Sequence, residues 1–389
     1  MSGPLAGVKI VDLTSVGMGP YATQILGDMG ADVIKVETEQ GDLFRHTAPS
    51  VHPGMSAAYL QLNRNKRSIV LDLKSPADLA VLKTLLQDAD ILVSNIRAQS
   101  MRRLGLAYED LQRDNPRLIY CGVYGFSEAG PYAGKPAFDD IIQAMSGVAG
   151  IQGRGAGREP TYVNSVIADK TTGLTAVYAM TMALYEREKS GLGQAIEVPM
   201  FETMVSFNLI EHMAGATFAG SNIPMGYERV LSPFRKPYRT LDGYISLLPY
   251  TTEQWRRFFD LSGHPEYAAD DRFMDPVQRA NNIGSMYELL AAIVARRSTQ
   301  DWMQLLATAD IPMAPVASLE DLLEDPHLKA TGFFETHEHP TEGPVTLPGI
   351  PVRFSRTPGS IRRLPPNQDQ DGADIRQELK KTKKGDQGE

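Results

Sequence analysis

Mostly apolar segments alternate with helical segments along the first third of the chain, and this alternation limits the fold more than any other feature. Residues 8–13 are typical of a buried strand, a glycine-containing turn follows, and residues 21–29 carry a helical pattern. A further strand is predicted at residues 32–37. Two such strands joined by a helix lie parallel in one sheet. The sequence therefore predicts that the fold begins with a β-α-β unit.

The alternation continues to residue 124. Further strands are predicted at 68–73, 89–94 and 118–124, with an amphipathic helix at 76–87. A basic segment, residues 63–67, precedes the first of them, and most such charges form a solvated face. Strands and helices in this order are typical of an α/β fold with a doubly wound parallel sheet, whose ligands bind at the carboxyl ends of the strands.

Turn and composition signals divide the rest of the chain. Prolines and glycines between residues 222 and 239 predict a domain crossing. We therefore expect a Rossmann-like large domain formed by residues 1–220 and 330–366 and a smaller α+β domain at 221–329. Residues 367–389 are rich in Gln, Asp, Lys and Gly, which predicts a flexible tail.

Composition excludes several functional classes. The 389 residues are 42% apolar with a formal net charge of −8, which argues against a nucleic-acid surface. A single cysteine, Cys121, excludes an internal disulfide and a cysteine metal cluster. The histidines are scattered except His337 and His339, so no metal site is predicted. Because neither a signal peptide nor an apolar run of membrane length is visible, we expect a cytoplasmic protein without membrane contact.

Asp169 lies where a short apolar run meets the start of a long helix. Thr171 and Thr172 suit the beginning of that helix, and Gly191 suits its end. Its predicted apolar face consists of Leu174, Val177, Tyr178, Met182 and Leu184. The free N–H groups at a helix start favour an ionised carboxylate. Asp169 is therefore either a helix cap or a carboxylate nucleophile, and the local pattern alone leaves both interpretations open.

The turn after the first strand suggests a second kind of site. Gly17, Gly19 and Ala22 have the G-x-G-x-x-A spacing of a dinucleotide fingerprint, and Glu37 closes the second strand. This outline indicates a nicotinamide-dependent dehydrogenase as an alternative function. Glycine-rich turns of this kind also hold other phosphates.

A set of motifs in fixed order connects these features. They are P-L-A-G-V-K-I-V-D-L-T, G-A-D-V-I-K-V-E and L-N-R-N-K-R-S-I near the start, then F-D-D-I-I-Q-A-M-S-G, A-D-K-T-T-G and S-G-L-G-Q-A-I-E-V around Asp169. From Pro4 to about Pro365, the chain resembles the class III CoA-transferase family. That family includes formyl-CoA transferases, carnitine CoA-transferases and 2-methylacyl-CoA racemases.

The resemblance implies a set of functional residues. Asp169 would be the nucleophile, and coenzyme A or acyl-CoA would be the substrate, with no tightly bound cofactor. The matching positions for CoA contacts are Ser15, Val16, Gly17, Met18, Lys74, Asn95 and Arg103. Asp139 would support the loop that covers the thioester. The resemblance also implies an interlocked homodimer of two-domain subunits, with an acyl-CoA donor and a carboxylic acid acceptor as partners and no nucleic acid.

The reaction within this family remains open in part. A 2-methylacyl-CoA racemase is the second alternative, but racemases usually carry His-Asp where this chain has Phe138-Asp139, and the missing histidine argues against racemisation. An acyl-CoA-binding module without catalysis is a third. In a transferase, Asp169 would already be ionised at neutral pH and would need no general base. A dicarboxylyl donor such as succinyl-CoA is an expectation that requires an arginine or histidine for its second carboxylate. The candidates are Arg45, His46, Arg229, Arg235 and Arg239.

Overall fold

The computed structural model of the protein describes residues 3–156 and 159–385. These residues group into two compact units. The first unit contains the described residues up to 148, residues 162–208 and the described residues from 327, and the second contains 209–326 and the segment around 149–161. The predicted domain bounds, 1–220 with 330–366 and 221–329, stay a prediction.

A parallel sheet of six strands forms the centre of the first unit. Its strands are β1 Lys9–Leu13, β2 Asp32–Glu37, β3 Lys66–Val70, β4 Ile91–Ser94, β5 Ile119–Tyr124 and β6 Ala195–Pro199. They are hydrogen-bonded in the order β3-β2-β1-β4-β5-β6, and every pair is parallel. This is the order of a doubly wound sheet, in which the direction of strand addition reverses between β1 and β4. The α/β fold predicted from the alternation is thus confirmed.

Helices cover both faces of this sheet. The helices up to residue 212 are α1 Met18–Asp28, α2 Ala57–Leu62, α3 Pro76–Gln87, α4 Ala98–Arg103, α5 Tyr108–Leu111, α6 Asp139–Met145, α7 Val148–Ala156, α8 Ile167–Ser190 and α9 Met200–His212, of which α7 belongs almost wholly to the second unit. Because side chains alternate along a strand, Ile10 packs into the core beneath α1 and α8, whereas Val11 packs into the core beneath α3 and α4. Each strand thereby contributes to two apolar layers.

Small side chains let α8 approach α1 closely. The buried face of α8 includes Ala168, Thr172, Gly173, Ala176 and Ala183. A Cβ atom at Gly173 would lie 2.8 Å from the carbonyl oxygen of Met18, so glycine is required there. The apolar face predicted for this helix is wrong in part, since Leu174, Tyr178 and Met182 are 50%, 52% and 65% exposed. Residue size rather than hydrophobicity selects the buried face.

The second unit is built around its own core. It contains the antiparallel strands β7 Tyr238–Arg239, β8 Tyr244–Leu247 and β9 Met313–Pro315. Its helices are α10 Glu228–Leu231, α11 Thr252–Ser262, α12 Asp271–Met274, α13 Pro276–Asn281, α14 Ile283–Val294, α15 Thr299–Leu305 and α16 Leu319–Glu324. Trp255, Phe258 and Trp302 are buried against β8 in this core. Ser298 and Asp301 form a capping box at the start of α15.

The end of the chain folds back onto the first unit. Helix α17 Pro326–Ala330, strands β10 Phe334–His339 and β11 Gly343–Pro348, and helix α18 Gly372–Gly385 complete the described elements. The expectation of a flexible tail at 367–389 is wrong for α18, because Ile375 is fully buried and Leu379 packs beside it under β3. These apolar side chains are four residues apart and so lie on one helix face. Residues 386–389 lie outside the described residues.

Within the described residues, no helix is both long and apolar enough to cross a lipid bilayer.

Candidate active site

A cavity of about 510 Å³ opens at the carboxyl ends of β1, β4 and β5. Its lining includes Ser15, Val16, Gly17, Met18, Asn95 and Asp169. The turn after β1 and the turn after β4 meet here because the strand order reverses between these two strands. The structure therefore brings together six of the nine residues that the sequence singled out. All six belong to the first unit.

Asp169 is the third residue of α8 and is only 8% exposed. The backbone of Met18 lies beside its carboxyl group and favours the ionised form. Gly17 lies against the same group, since a Cβ atom at this position would be 2.4 Å from Asp169 Oδ2. Real Cβ atoms do not approach oxygen this closely, so the absence of a side chain at Gly17 makes room for the carboxylate.

Asp139 supports the backbone that carries Asp169. Its Oδ1 accepts the N–H of Ala168 at 2.7 Å and the N–H of Asp169 at 3.0 Å. Its Oδ2 accepts a hydrogen bond of 2.6 Å from Gln143 Nε2. Asp139 is thus the acceptor for free N–H groups at the start of α8. It is not among the residues that line the cavity. The expectation that Asp139 supports a loop covering the thioester stays a prediction.

The environment of Asp169 raises its pKa to about 7 from an ordinary value of 3.8. Burial is the larger cause, because it penalises the ionised form, and the charge of Asp139 adds to it. The hydrogen bond from Met18 acts in the opposite direction. The expectation that Asp169 is fully ionised at neutral pH is therefore wrong for the free protein. A carboxylate of this pKa is about half ionised at pH 7.

The turn that faces Asp169 is held in an unusual conformation. Val16 has a φ angle of +73°, which is rare for a β-branched residue. Its N–H donates to Asp42 Oδ1 at 3.0 Å. On the other side, Ser15 donates its N–H to Asn95 Oδ1 at 3.2 Å, and Asn95 Nδ2 returns a bond of 2.9 Å to the Ser15 carbonyl. These three bonds fix the turn between β1 and β4.

A buried group of charges lies behind this turn. Lys35 Nζ donates to the Thr14 carbonyl at 2.8 Å and to Asp42 Oδ2 at 2.7 Å. Asp12 accepts the Thr14 N–H at 2.8 Å and pairs with Lys66 at 3.2 Å. Burial lowers the pKa of Lys66 to about 8. These charges lie deep in the protein, so their hydrogen bonds set the position of the turn more firmly than surface contacts would.

The glycine fingerprint has a structural explanation within the protein. A Cβ atom at Gly19 would lie 2.3 Å from the Thr14 side chain, so Gly19 allows α1 to begin directly beneath the turn. Glu37 does not point to a free site, because its two oxygens bind Arg45 at 2.7 and 2.8 Å. This ion pair removes the acid that a dehydrogenase would use for a ribose. It also removes Arg45, which is buried, from the candidates for a substrate carboxylate.

Two of the predicted CoA contacts lie apart from the cavity. Lys74 and Arg103 are exposed, and neither lines it. Arg97 and Lys135 do line it and were missed by the sequence reasoning. Arg97 could have been found, since it follows β4 within three residues and so lies at a strand's carboxyl end. Lys135 belongs to a loop for which the sequence offered no comparable signal.

Comparison with known proteins then decides the family. A model of CoA-transferase family III matches residues 5–372 of the chain. The chain belongs to CoA-transferase family III. Membership, together with relatives over nearly the whole chain that are named CoA-transferases, makes it an enzyme that transfers CoA, as the resemblance predicted.

Individual members of CoA-transferase family III are similar to this chain over nearly its whole length. A succinate–glutarate CoA-transferase of Agrobacterium fabrum is 32% identical over 97% of this chain and 96% of its own length. The human succinyl-CoA:glutarate CoA-transferase is 30% identical over 93% of this chain and 83% of its own length. The crystal structure of a CAIB/BAIF family protein from Brucella suis superimposes with a TM-score of 0.82 at 32% identity, covering 97% of this chain and 100% of that one.

Proposed function

We propose that this family III CoA-transferase moves CoA from succinyl-CoA to a second carboxylic acid and that Asp169 is the nucleophile. The position of Asp169 carries the proposal: a nearly buried carboxylate that lines a cavity at the switch point of the sheet and meets a glycine-containing turn. The names of the relatives from Agrobacterium fabrum and human support the choice of a dicarboxylyl donor. A glutarate-like dicarboxylic acid is the acceptor favoured by the same names.

The proposed reaction conserves the energy of the thioester through covalent intermediates. A carboxylate oxygen of Asp169 attacks the thioester carbonyl, and the C–S bond breaks. The CoA thiolate departs, and a mixed anhydride of Asp169 and the donor acid remains. The thiolate then attacks the Asp169 carbonyl, and the anhydride C–O bond breaks to release the donor acid. The resulting aspartyl-CoA thioester is attacked by the acceptor carboxylate, and the same steps run in reverse. Electrons and atoms balance without an external base.

The backbone near Asp169 supports a role in stabilising charge. When the thiolate attacks the Asp169 carbonyl, negative charge develops on the oxygen of the aspartyl group. The Met18 backbone already lies beside this carboxyl group in the free protein and favours its ionised form. We infer that it stabilises the developing oxyanion, since a donor held in place before the reaction needs no reorganisation.

Charged and polar groups at the cavity support the binding of CoA. Ser15 and Asn95 line it beside Arg97 and Lys135, whose positive charges suit the phosphates of CoA. The resemblance adds Lys74 and Arg103 to these contacts. Their exposed positions suit the outer phosphates better than the thioester.

The proposal includes the interlocked homodimer that the resemblance implies. Helix α8 exposes an apolar stripe formed by Leu174, Tyr178, Met182 and Tyr185. Exposed apolar side chains in a contiguous row are typical of an interface between subunits. The cytoplasmic location expected from the sequence stays a prediction.

A trapping experiment tests the nucleophile. The protein is incubated with succinyl-CoA, treated with hydroxylamine or borohydride, digested and analysed by mass spectrometry. We expect a modified peptide containing Asp169, no modification in Asp169→Asn, and full modification in Asp140→Asn, a matched change at an exposed neighbour of Asp139. Transfer activity that survives in Asp169→Asn would overturn the mechanism.

The same samples separate the alternatives. Exchange of the α-proton of a 2-methylacyl-CoA with deuterated solvent, without a covalent adduct, would favour the racemase. Phe138 offers no proton-transfer group at the position where racemases carry histidine, so we expect no exchange. Enhanced NADH fluorescence without CoA binding would favour the dehydrogenase, and bound but unmodified acyl-CoA would favour a non-catalytic module.

A further inference from the structure

The amide side chain of Gln143 lies between Asp139 and the segment that precedes α8, and no step of the proposed chemistry uses it. Gln143 is only 1% exposed. It follows Asp139 by four residues on α6, so the two side chains lie on one face of that helix. Its Nε2 donates to Asp139 Oδ2 at 2.6 Å. Both residues, the segment 162–166 and Asp169 belong to the first unit.

The same amide binds the backbone of the segment. Its Oε1 accepts the Val163 N–H at 2.8 Å. Its Nε2 lies 3.4 Å from the Val163 carbonyl oxygen and 3.2 Å from the Ser165 carbonyl oxygen. A backbone N–H only donates and an ionised carboxylate only accepts, so these partners fix which end of the amide carries the nitrogen. Gln143 thus joins Asp139 to two peptide groups that lie 20 and 22 positions further along the chain.

Ser165 opens the tight turn from which α8 starts. The Ile167 N–H donates to the Ser165 carbonyl at 2.7 Å, and Val166 between them has a φ angle of −71° and a ψ angle of 65°. These angles are those of an inverse γ-turn. A turn of three residues has a single hydrogen bond, so the second contact from Gln143 to its carbonyl limits its rotation. The direction in which α8 leaves the segment therefore depends on Gln143.

The start of α8 is also held through Asp139. Its Oδ1 accepts the N–H groups of Ala168 and Asp169, and its Oδ2 accepts the bond from Gln143. Among the residues that the structure describes, no lysine, arginine or histidine forms an ion pair with Asp139. The buried charge of Asp139 therefore depends on its hydrogen bonds, and a lost donor leaves an oxygen without a partner. Gln143 thus fixes both the carboxylate and the turn that support Asp169.

We propose that Gln143 is a positioning residue for transfer: it locks Asp139 to the turn before α8 and thereby holds the Asp169 carboxylate towards the cavity. The part of Asp169 in this statement rests on the proposed function. Gln143 is not among the residues that line the cavity, so it acts through Asp139 rather than on the substrate. The turn after β1 is held instead by Asp42 and Asn95. Loss of Gln143 should therefore slow the chemical step and leave the binding of acyl-CoA unchanged.

Gln143→Met tests this proposal, because methionine keeps the length of the side chain and removes its hydrogen bonds. Steady-state transfer from succinyl-CoA is measured at pH 9, above the pKa of Asp169, so that protonation of this carboxyl group does not limit the rate. We expect kcat to fall about tenfold or more while the KM for acyl-CoA stays unchanged, since a displacement of about 1 Å is enough to lose catalytic geometry. Gln143→Asn carries its amide one methylene short of these partners and should lose as much, which gives a second test in case the first variant does not fold.

Gln24→Met is the matched control for loss of a buried amide. Gln24 is buried in α1, and its Oε1 has no hydrogen-bond partner among the residues that the structure describes. We expect its kcat and KM to match those of the native protein. A loss of kcat in this variant equal to that in Gln143→Met would overturn the specific role of Gln143.

A double-mutant cycle separates positioning from a general structural effect. In Asp139→Asn an amide nitrogen can face Gln143 Nε2, so the same link is broken. If Gln143 acts through Asp139, the double variant should lose no more kcat than about the larger of the two single losses. Additive losses, or native kcat in folded Gln143→Met, would overturn the proposal and leave the nucleophile untouched. Transfer that survives in Asp169→Asn would instead overturn the proposed function, and the role of Gln143 with it.

Discussion

The carboxylate of Asp139 accepts the backbone N–H of Asp169 at 3.0 Å, although the two residues are 30 positions apart in the chain. Two acids therefore lie together at the start of α8, and both are nearly buried. Asp139 holds the backbone in place, and its charge also helps to keep a proton on Asp169. The same contact thus positions the proposed nucleophile and tunes its ionisation.

The pH dependence of transfer should report this tuning. Because burial and Asp139 raise the pKa of Asp169 to about 7, kcat/KM for acyl-CoA should rise about tenfold per pH unit below 7 and level off above it. In Asp139→Asn the neighbouring charge is lost while an oxygen acceptor remains. We expect the midpoint of the profile to fall by about one unit. Steady-state rates between pH 5 and pH 9 measure the midpoints of the native protein and of Asp139→Asn.

Asp140→Asn is the control for this profile. Asp140 is adjacent to Asp139 on α6 but is exposed, so its charge is screened by water. The midpoint of the pH profile of Asp140→Asn should match that of the native protein. Equal shifts in both variants would mean that the effect is not specific to Asp139.

The free energy of unfolding should depend on pH through Asp169 in a defined direction. An acid whose pKa is higher in the folded state than in the unfolded state binds more protons when folded, so stability falls as pH rises from about 4 to about 7. The side chain in Asp169→Asn cannot ionise, so this fall in stability with rising pH is absent from the variant. We expect the variant to be more stable than the native protein by up to about 4 kcal/mol at pH 8 and equally stable near pH 4. Urea unfolding at each pH measures the difference, and a variant less stable at pH 8 would contradict it.

Gly17→Ala should block the proposed nucleophile. The added methyl group would lie 2.4 Å from Asp169 Oδ2, so either the carboxylate or the turn must move. We expect kcat/KM to fall about a hundredfold or more because a displacement of about 1 Å is enough to lose catalytic geometry. Overpacking should cost stability by about 1–3 kcal/mol.

Gly284→Ala is the matched control for this substitution. Gly284 lies in α14, and a Cβ atom there would have open space around it. Activity should remain unchanged in this variant, and the helix should be slightly stabilised. Native activity in Gly17→Ala would show that the close approach to Asp169 is unimportant.

Asp42→Asn should disturb the turn after β1 by removing a partner that holds it in place. Asp42 accepts the Val16 N–H and pairs with Lys35, which is fully buried. Removing one partner of such a pair leaves an uncompensated charge, so we expect a loss of about 3–5 kcal/mol in the free energy of unfolding. The KM for acyl-CoA should rise because Val16 lines the cavity. Asp88→Asn, which breaks an exposed ion pair with Lys9, should change stability by less than about 1 kcal/mol.

Local sequence patterns predicted many elements accurately. The strand at 32–37 and the helix at 76–87 have the predicted bounds. Their turns, caps and apolar periodicity involve residues within a few positions of one another. The strand predicted at 68–73 begins instead at Lys66, because the basic segment before it is buried rather than solvated. Its charges find partners that are distant in sequence, including Asp12 and Asp28.

The sequence by itself determined the α/β alternation, the family motifs and the place of Asp169 near the start of a helix, whereas the structure begins that helix earlier, at Ile167. The tertiary structure decided which residues face Asp169, how far its pKa rises, and that Glu37 and Arg45 neutralise each other. The reason is physical. Secondary structure follows from neighbours along the chain, whereas burial and charge pairing depend on groups that only folding brings together. Asp139 and Met18 both lie 30 or more positions before Asp169, and they shift its pKa in opposite directions, so no local pattern records their approach.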